Sequence, residues 1–147
     1  TDIILTYNQK VTSIEAYRNT VTISFPNLGD GIQKYEHTPD GSTYTWPFVP
    51  PDAGYLDELI FYKEAKKGPR GLIHYPSNFD AKMKHILRVR TVLDKDGKVE
   101  SACYAKMLGG IAVGWKPITR VQYWFNPNRT RNLENDPERD ISLGRRK

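Results

Sequence analysis

The chain contains a single cysteine, Cys103, so no disulfide can form within its 147 residues. A cysteine that acts as a nucleophile needs a neighbour that stabilises the thiolate and a histidine paired with it. No local sequence pattern supplies these partners for Cys103. The residue instead alternates with Ala105 and Met107, which predicts a small buried side chain on one face of a strand.

Long hydrophobic runs are also missing. No segment approaches the roughly 18 apolar residues that a membrane-spanning helix needs, so we predict no span. Hydrophobic residues make up 38% of the chain and charged residues 27%, a balance typical of a soluble globular domain. Because the chain begins at Thr1 and not at Met, we expect a processed or cut N-terminus and an extracytoplasmic location, whether secreted, periplasmic or on the cell surface.

The sequence lacks the short motifs that mark common catalytic and cofactor sites. There is no Gly-rich phosphate loop between a strand and a helix, and no serine in a nucleophile elbow. The three histidines, His37, His74 and His85, lie in separate strand-like segments without the spacing of a zinc site. We therefore predict no enzyme activity, no metal and no cofactor. A pocket in which the fold joins these histidines to carboxylates would overturn this prediction.

Alternation of apolar and polar residues is the clearest positive signal, and it is strongest over residues 86–93, 99–107 and 118–125. Successive side chains of a strand point to opposite faces, so a period of two predicts strands buried on one side. Between the first two runs, Asp94 to Gly97 form a turn pattern, because glycine accepts a positive φ and aspartate bonds to nearby backbone. We therefore predict an antiparallel hairpin here, followed by a Gly-rich connection to the third run.

Within the first run, Val89 is predicted to face the core, and Arg88 and Arg90 to face the other side. The net charge of +5 favours an approach to phosphates or acidic polymers. These two arginines would form a basic and aromatic face with Arg120 and Trp124 if all four shared one side of a sheet. The basic residues are scattered among acidic ones, so nucleic-acid binding is the lowest-ranked function.

The first part of the chain reads as short strands separated by polar turns, at residues 3–6, 21–25, 32–37 and 42–48. Short strands at this spacing predict an antiparallel β-sandwich, immunoglobulin-like or related to that fold. The proline-rich segment 46–51 should be a long connection packed over the sandwich, because proline lacks the amide donor that a sheet interior requires.

The segment 55–67 fits either a helix or a strand. A helix would bring Lys63 and Lys67 to the same side as the leucines, whereas the middle of the segment is dense in strand-favouring residues. We therefore predict a strand, followed by a hairpin turn at residues 68–71.

These patterns together predict an all-β fold with long connections and an irregular C-terminal tail. One domain should cover residues 1–125, because the proline-rich connection is short and apolar and does not resemble a flexible hinge. Residues 126–147 are polar with few apolar anchors, and we expect them to pack on the surface or to be partly disordered.

Aromatic side chains are abundant, with nine tyrosines, three tryptophans and five phenylalanines. Flat rings on a sheet face or loop edge can stack on sugars or on a partner's apolar surface, although a sandwich also buries several rings in its core. The rings that we predict for ligand binding are Tyr44, Trp46, Trp115 and Trp124.

The sequence therefore favours a non-enzymatic extracytoplasmic module of a secreted or surface protein, which binds a partner or spaces other domains. The alternative is a carbohydrate-binding module that uses exposed rings. A glycan or a protein surface is the expected partner under these two hypotheses.

Overall fold

The structure is a computed structural model that describes residues 1–36, 46–114 and 119–133. The regular structure in these ranges consists of β-strands, which confirms the all-β prediction for them. In chain order the strands are β1 (Ile4–Ser13), β2 (Ala16–Ser24), β3 (Gly31–Tyr35), β4 (Glu58–Lys67), β5 (Ile73–His74), β6 (Lys84–Leu93), β7 (Val99–Val113) and β8 (Thr119–Asn126). The same ranges hold no helix of the length and apolarity that a bilayer span requires.

The strands form two antiparallel sheets of four. The first sheet has the order β1-β2-β4-β5 and the second sheet has the order β3-β6-β7-β8. The sheets contact each other through β2 and β4 of the first and β3 and β7 of the second, and they share one hydrophobic core, which is a sandwich-like arrangement. In this order β1 and β8 are edge strands, one in each sheet.

Inward-facing side chains follow the period of two that strand geometry imposes. The buried residues of β2 alternate with more exposed ones and are Tyr17, Asn19, Val21 and Ile23. The predicted burial of Cys103, Ala105 and Met107 on one face of β7 is confirmed, and all three belong to the core. Each fully buried large apolar side chain stabilises the fold by about 2 kcal/mol relative to an exposed one.

The predicted turn between β6 and β7 is confirmed. The Asp94 carboxylate accepts hydrogen bonds from the backbone N–H groups of Asp96 at 2.8 Å and Lys98 at 2.9 Å. Gly97 has a φ of +76° and donates its N–H to the Asp94 carbonyl at 3.1 Å. The turn therefore uses the two residue properties on which the prediction depended.

The predicted strand in the segment 55–67 is confirmed as β4, and the hairpin turn predicted at residues 68–71 is confirmed as well. The Gly68 N–H donates to the Leu72 carbonyl at 2.7 Å, and Lys66 pairs with His74 across the short β5 strand.

The predicted Gly-rich connection after Met107 is wrong over residues 108–113, because β7 continues to Val113. Gly109 and Gly110 take φ values of +80° and +72°, and the pairing of β7 with β8 shifts register at this point. The two glycines therefore form a β-bulge, an irregularity that lets a strand bend without ending.

The proline-rich segment packs over the outer face of the second sheet, as predicted. The Leu133 N–H donates to the Phe48 carbonyl at 2.9 Å. Leu133 and Trp46 of the proline-rich segment both pack in a second buried cluster. This cluster and the rings packed against it comprise Ile86, Ala102, Tyr104, Leu133, Tyr35, Trp46 and Tyr55. Residues 46–48 are not in a strand, so the predicted strand 42–48 is wrong over these residues, and its remaining part lies outside the described ranges.

Candidate functional site

An apolar cleft of about 370 Å³ lies between the two sheets and opens along the side where β1 and β8 are the edge strands. Its described lining residues are Asp2, Ile3, Leu5, Ile23, Leu87, Val89, Arg90, Ala105, Met107, Ile111, Val121, Tyr123 and Phe125. Pockets of roughly 300–1,000 Å³ lined mainly by apolar side chains are the usual size and character of small-ligand sites.

The cleft runs from the buried core to the solvent. Met107 and Ile111 at its inner end are almost fully buried and belong to the core. At its mouth Leu5, Val121 and Tyr123 keep 52%, 40% and 46% of their surface exposed. Apolar surface that is exposed and continuous with a core is characteristic of a binding groove.

The rim of the cleft is built around Arg90, which has a φ of +56° in the middle of β6. The pairing of β6 with β7 shifts register between Val89 and Val92, so Arg90 occupies a β-bulge. The prediction that Arg90 faces away from the Val89 side is therefore wrong, because the bulge interrupts the alternation. Arg90 instead lines the cleft together with Val89.

The buried carboxylate of Asp30 fixes this bulge. It accepts hydrogen bonds from the backbone N–H groups of Arg90 at 3.0 Å and Thr91 at 2.8 Å. A non-glycine residue at positive φ is strained and persists only where the surrounding structure holds it. Asp30 thus fixes the backbone position from which the Arg90 side chain extends.

The Arg90 guanidinium belongs to the exposed rim of the cleft. Its Nε donates to the Asp2 carboxylate at 2.9 Å, and the two side chains keep 51% and 40% of their surface exposed. The guanidinium carbon also lies 5.9 Å from the centre of the Phe125 ring, which is another lining residue. The charged groups of the lining are thus this exposed ion pair, which contributes little to stability because water screens it.

Two of the four rings predicted for ligand binding come together on the outer face of the second sheet. The Lys106 ammonium lies 5.9 Å from the ring centres of both Trp46 and Trp124, and the Lys84 ammonium lies 5.6 Å from Trp46. Both rings are half-buried. The other two predicted residues, Tyr44 and Trp115, lie outside the described ranges.

The basic face that we considered for nucleic acid does not form. Arg88 is buried, its guanidinium lies 4.1 Å from the Tyr55 ring centre, and it donates to the backbone carbonyls of Gly29 and Asp52 at 2.6 and 3.0 Å. These contacts make Arg88 a structural residue of the second sheet, while the bulge brings Arg90 to the cleft.

The histidines do not converge on a metal site in the described ranges. His74 lies in β5 at the edge of the first sheet, His85 is buried in the second, and His37 is not among the described residues. The His85 ring meets the edge of Phe61 at a centroid distance of 5.6 Å. Burial, with a smaller effect of Lys34, lowers the His85 pKa to about 4. The described residues include no group of three potential ligands.

Sequence reasoning missed the cleft because its lining residues come from five strands and from the residues before β1. The apolar ones within strands look like ordinary inward-facing residues when each segment is read alone, and Arg90 was predicted to face the other way. Comparison with protein-family models, with curated proteins and with solved structures gives no match for this chain. The cleft and the tryptophan pair are therefore interpreted from their own geometry.

Proposed function

We propose that this chain is a non-enzymatic binding module of a secreted or surface protein, and that it holds an apolar ligand in the cleft between its sheets. The observation that carries the proposal is the continuity of exposed apolar side chains at the mouth with the buried core. The ionisable lining residues are Asp2, Arg90 and Tyr123, and the first two are paired with each other. This composition favours binding over catalysis.

The expected affinity follows from the apolar surface that a ligand would cover. Removing roughly 300–500 Å² of apolar surface from water, counted on both partners, stabilises a complex by about 7–12 kcal/mol. Association costs at least about 4 kcal/mol of lost freedom, so we expect dissociation constants in the micromolar range or weaker.

A neutral fluorescent probe, N-phenyl-1-naphthylamine, tests the proposal. We expect its fluorescence to rise on binding and Val121→Trp to weaken binding by about tenfold or more, because the larger ring fills the mouth. Val99→Trp is the matched control, because Val99 has similar exposure, 37% against 40% for Val121, but does not line the cleft. Absence of a fluorescence rise, or an equal loss in both variants, would contradict the proposal.

A glycan ligand at the tryptophan pair is a second candidate, supported by the position of the Trp46 and Trp124 ring centres, each 5.9 Å from the Lys106 ammonium. If a sugar ring stacks there, Trp124→Ala should weaken binding of cellohexaose or chitohexaose by about 1–3 kcal/mol, a scale borrowed from base stacking. Tyr75→Ala removes an exposed ring elsewhere and should change nothing. Isothermal titration calorimetry measures both, and unchanged affinity in Trp124→Ala would dismiss this candidate.

We also propose a relation to immunoglobulin-like sandwiches and an extracytoplasmic location. The neighbouring order β3-β6-β7 matches the C-F-G order of those folds, which supports the relation. The other sheet departs from the immunoglobulin order A-B-E-D. There the fifth strand, E, lies beside the second, whereas in this chain β4 lies beside β2 and β5 lies at the edge. The location rests on the sequence expectation alone.

A further inference from the structure

We infer that the ligand of the cleft is a single-chain anionic amphiphile, such as a fatty-acid carboxylate, with its head group on Arg90 and its chain between the sheets. This inference rests on the proposed function and narrows it to one chemical class. It is argued from the distribution of polarity in the cleft, from its volume and from the way in which Arg90 is held.

Among the described lining residues, polar side chains are confined to the rim of the cleft. Beyond Asp2, Arg90 and the Tyr123 hydroxyl, these described side chains are apolar, and the inner end is formed by core residues such as Met107 and Ile111. A ligand that enters fully must therefore be polar at one end only. An extended peptide would bring a backbone amide with every residue, and a glycan would bring hydroxyl groups, into the inner part of the cleft, where the described lining side chains offer no partners for them.

The volume fits one chain. At about 30 Å³ for each water-sized group, 370 Å³ accommodates about a dozen methylene groups. This is the size of one medium-length acyl chain, and it leaves no room for the paired chains of a phospholipid.

Arg90 is suited to bind the head group of the ligand. Asp30 holds the backbone of Arg90 and Thr91 through two amide hydrogen bonds, so the Arg90 side chain starts from a fixed position beside the cleft. A guanidinium binds a carboxylate through two parallel hydrogen bonds, which an ammonium group cannot match.

The Asp2 carboxylate already accepts a hydrogen bond from Arg90 Nε at 2.9 Å, and both side chains are about half-exposed. Exposed ion pairs of this kind are weak, so a ligand carboxylate anchored by its buried chain can replace the Asp2 carboxylate. Asp2 is thus a competitor for the same guanidinium, and its removal should strengthen binding of an anionic ligand.

Displacement of N-phenyl-1-naphthylamine by decanoate and by 1-decanol, at concentrations where neither forms micelles, tests the inference. We expect decanoate to bind about tenfold more tightly than decanol. Arg90→Gln should remove this preference by weakening decanoate alone, and Arg90→Lys should retain part of it. Arg70→Gln, in the turn between β4 and β5 at the far edge of the first sheet, is the charge-matched control and should leave the preference unchanged.

Asp2→Asn gives the sharpest arm, because it predicts a gain. This substitution of a half-exposed residue ahead of β1 should raise decanoate affinity several-fold and leave decanol affinity unchanged. It also keeps the test decisive if the Arg90 variants fail to fold. Equal binding of decanoate and decanol, or an unchanged preference in Asp2→Asn, would overturn the head-group inference and leave the apolar binding module intact. Failure of the fluorescent probe itself to bind would instead overturn the proposed function.

Discussion

Gly110→Ala is expected to lower the free energy of unfolding by about 3 kcal/mol. The residue has a φ of +72°, where a side chain costs about 1–2 kcal/mol. A Cβ at this position would also lie 2.5 Å from Cε1 of Phe61, a buried core ring. Overpacking of this kind costs a further 1–3 kcal/mol or so, because a close-packed interior yields only by moving side chains off their rotamers.

Gly97→Ala is the matched control for that substitution. Gly97 has nearly the same φ, +76°, but an added Cβ would meet nothing within 4 Å. Its loss of stability should therefore be confined to the same backbone cost, about 1–2 kcal/mol. Equilibrium denaturation in urea measures both variants. If the two losses are equal, the contact with Phe61 does not contribute and the tight packing at the β7 bulge is refuted.

The bulges show where reading the sequence as alternating strands succeeds and where it stops. Over residues 99–107 the alternation correctly placed Cys103, Ala105 and Met107 in the core between the sheets, because an unbroken strand has only two faces. It did not predict that Ala102 and Tyr104 on the opposite face are buried as well. At Arg90 one extra residue enters β6 and interrupts the alternation, whereas at Gly109 and Gly110 two extra residues enter β7, so Met107 and Ile111 still face the same core. Nothing local distinguishes Arg90 as a bulge residue, since Asp30, which stabilises it, is 60 residues away.

The candidate site was predictable only in part for the same reason. Aromatic content led to the prediction of Trp46 and Trp124, and the fold places each ring centre 5.9 Å from the Lys106 ammonium, but their role in binding stays a prediction. The cleft needed the strand order, because its mouth combines Leu5 with Val121 and Tyr123 from the opposite end of the chain. No sequence rule states that β1 and β8 will open on the same side of the sandwich.

The stability of the domain should fall by about 2 kcal/mol between pH 7 and pH 5 because of His85 alone. Burial lowers the pKa of this side chain to about 4 in the folded protein, against about 6.5 in the unfolded chain. Between these two values the unfolded state binds the proton and the folded state does not. Stability is therefore complete above pH 6.5 and is lost as the pH falls towards 4.

His85→Phe should abolish most of this slope, because it removes the titrating group and keeps a ring against Phe61. His74→Gln, at an exposed position in β5, is the matched control and should retain the slope. Urea denaturation at several pH values between 7 and 5 measures the slope of stability against pH. This range lies above the pH at which carboxylates such as Glu64 titrate. A hydrogen bond with Lys66 is the main cause that lowers the pKa of Glu64. An equal slope in wild type and His85→Phe would mean that His85 accepts a proton in the folded state at little cost. That result would contradict the statement that burial keeps the His85 side chain neutral in this pH range.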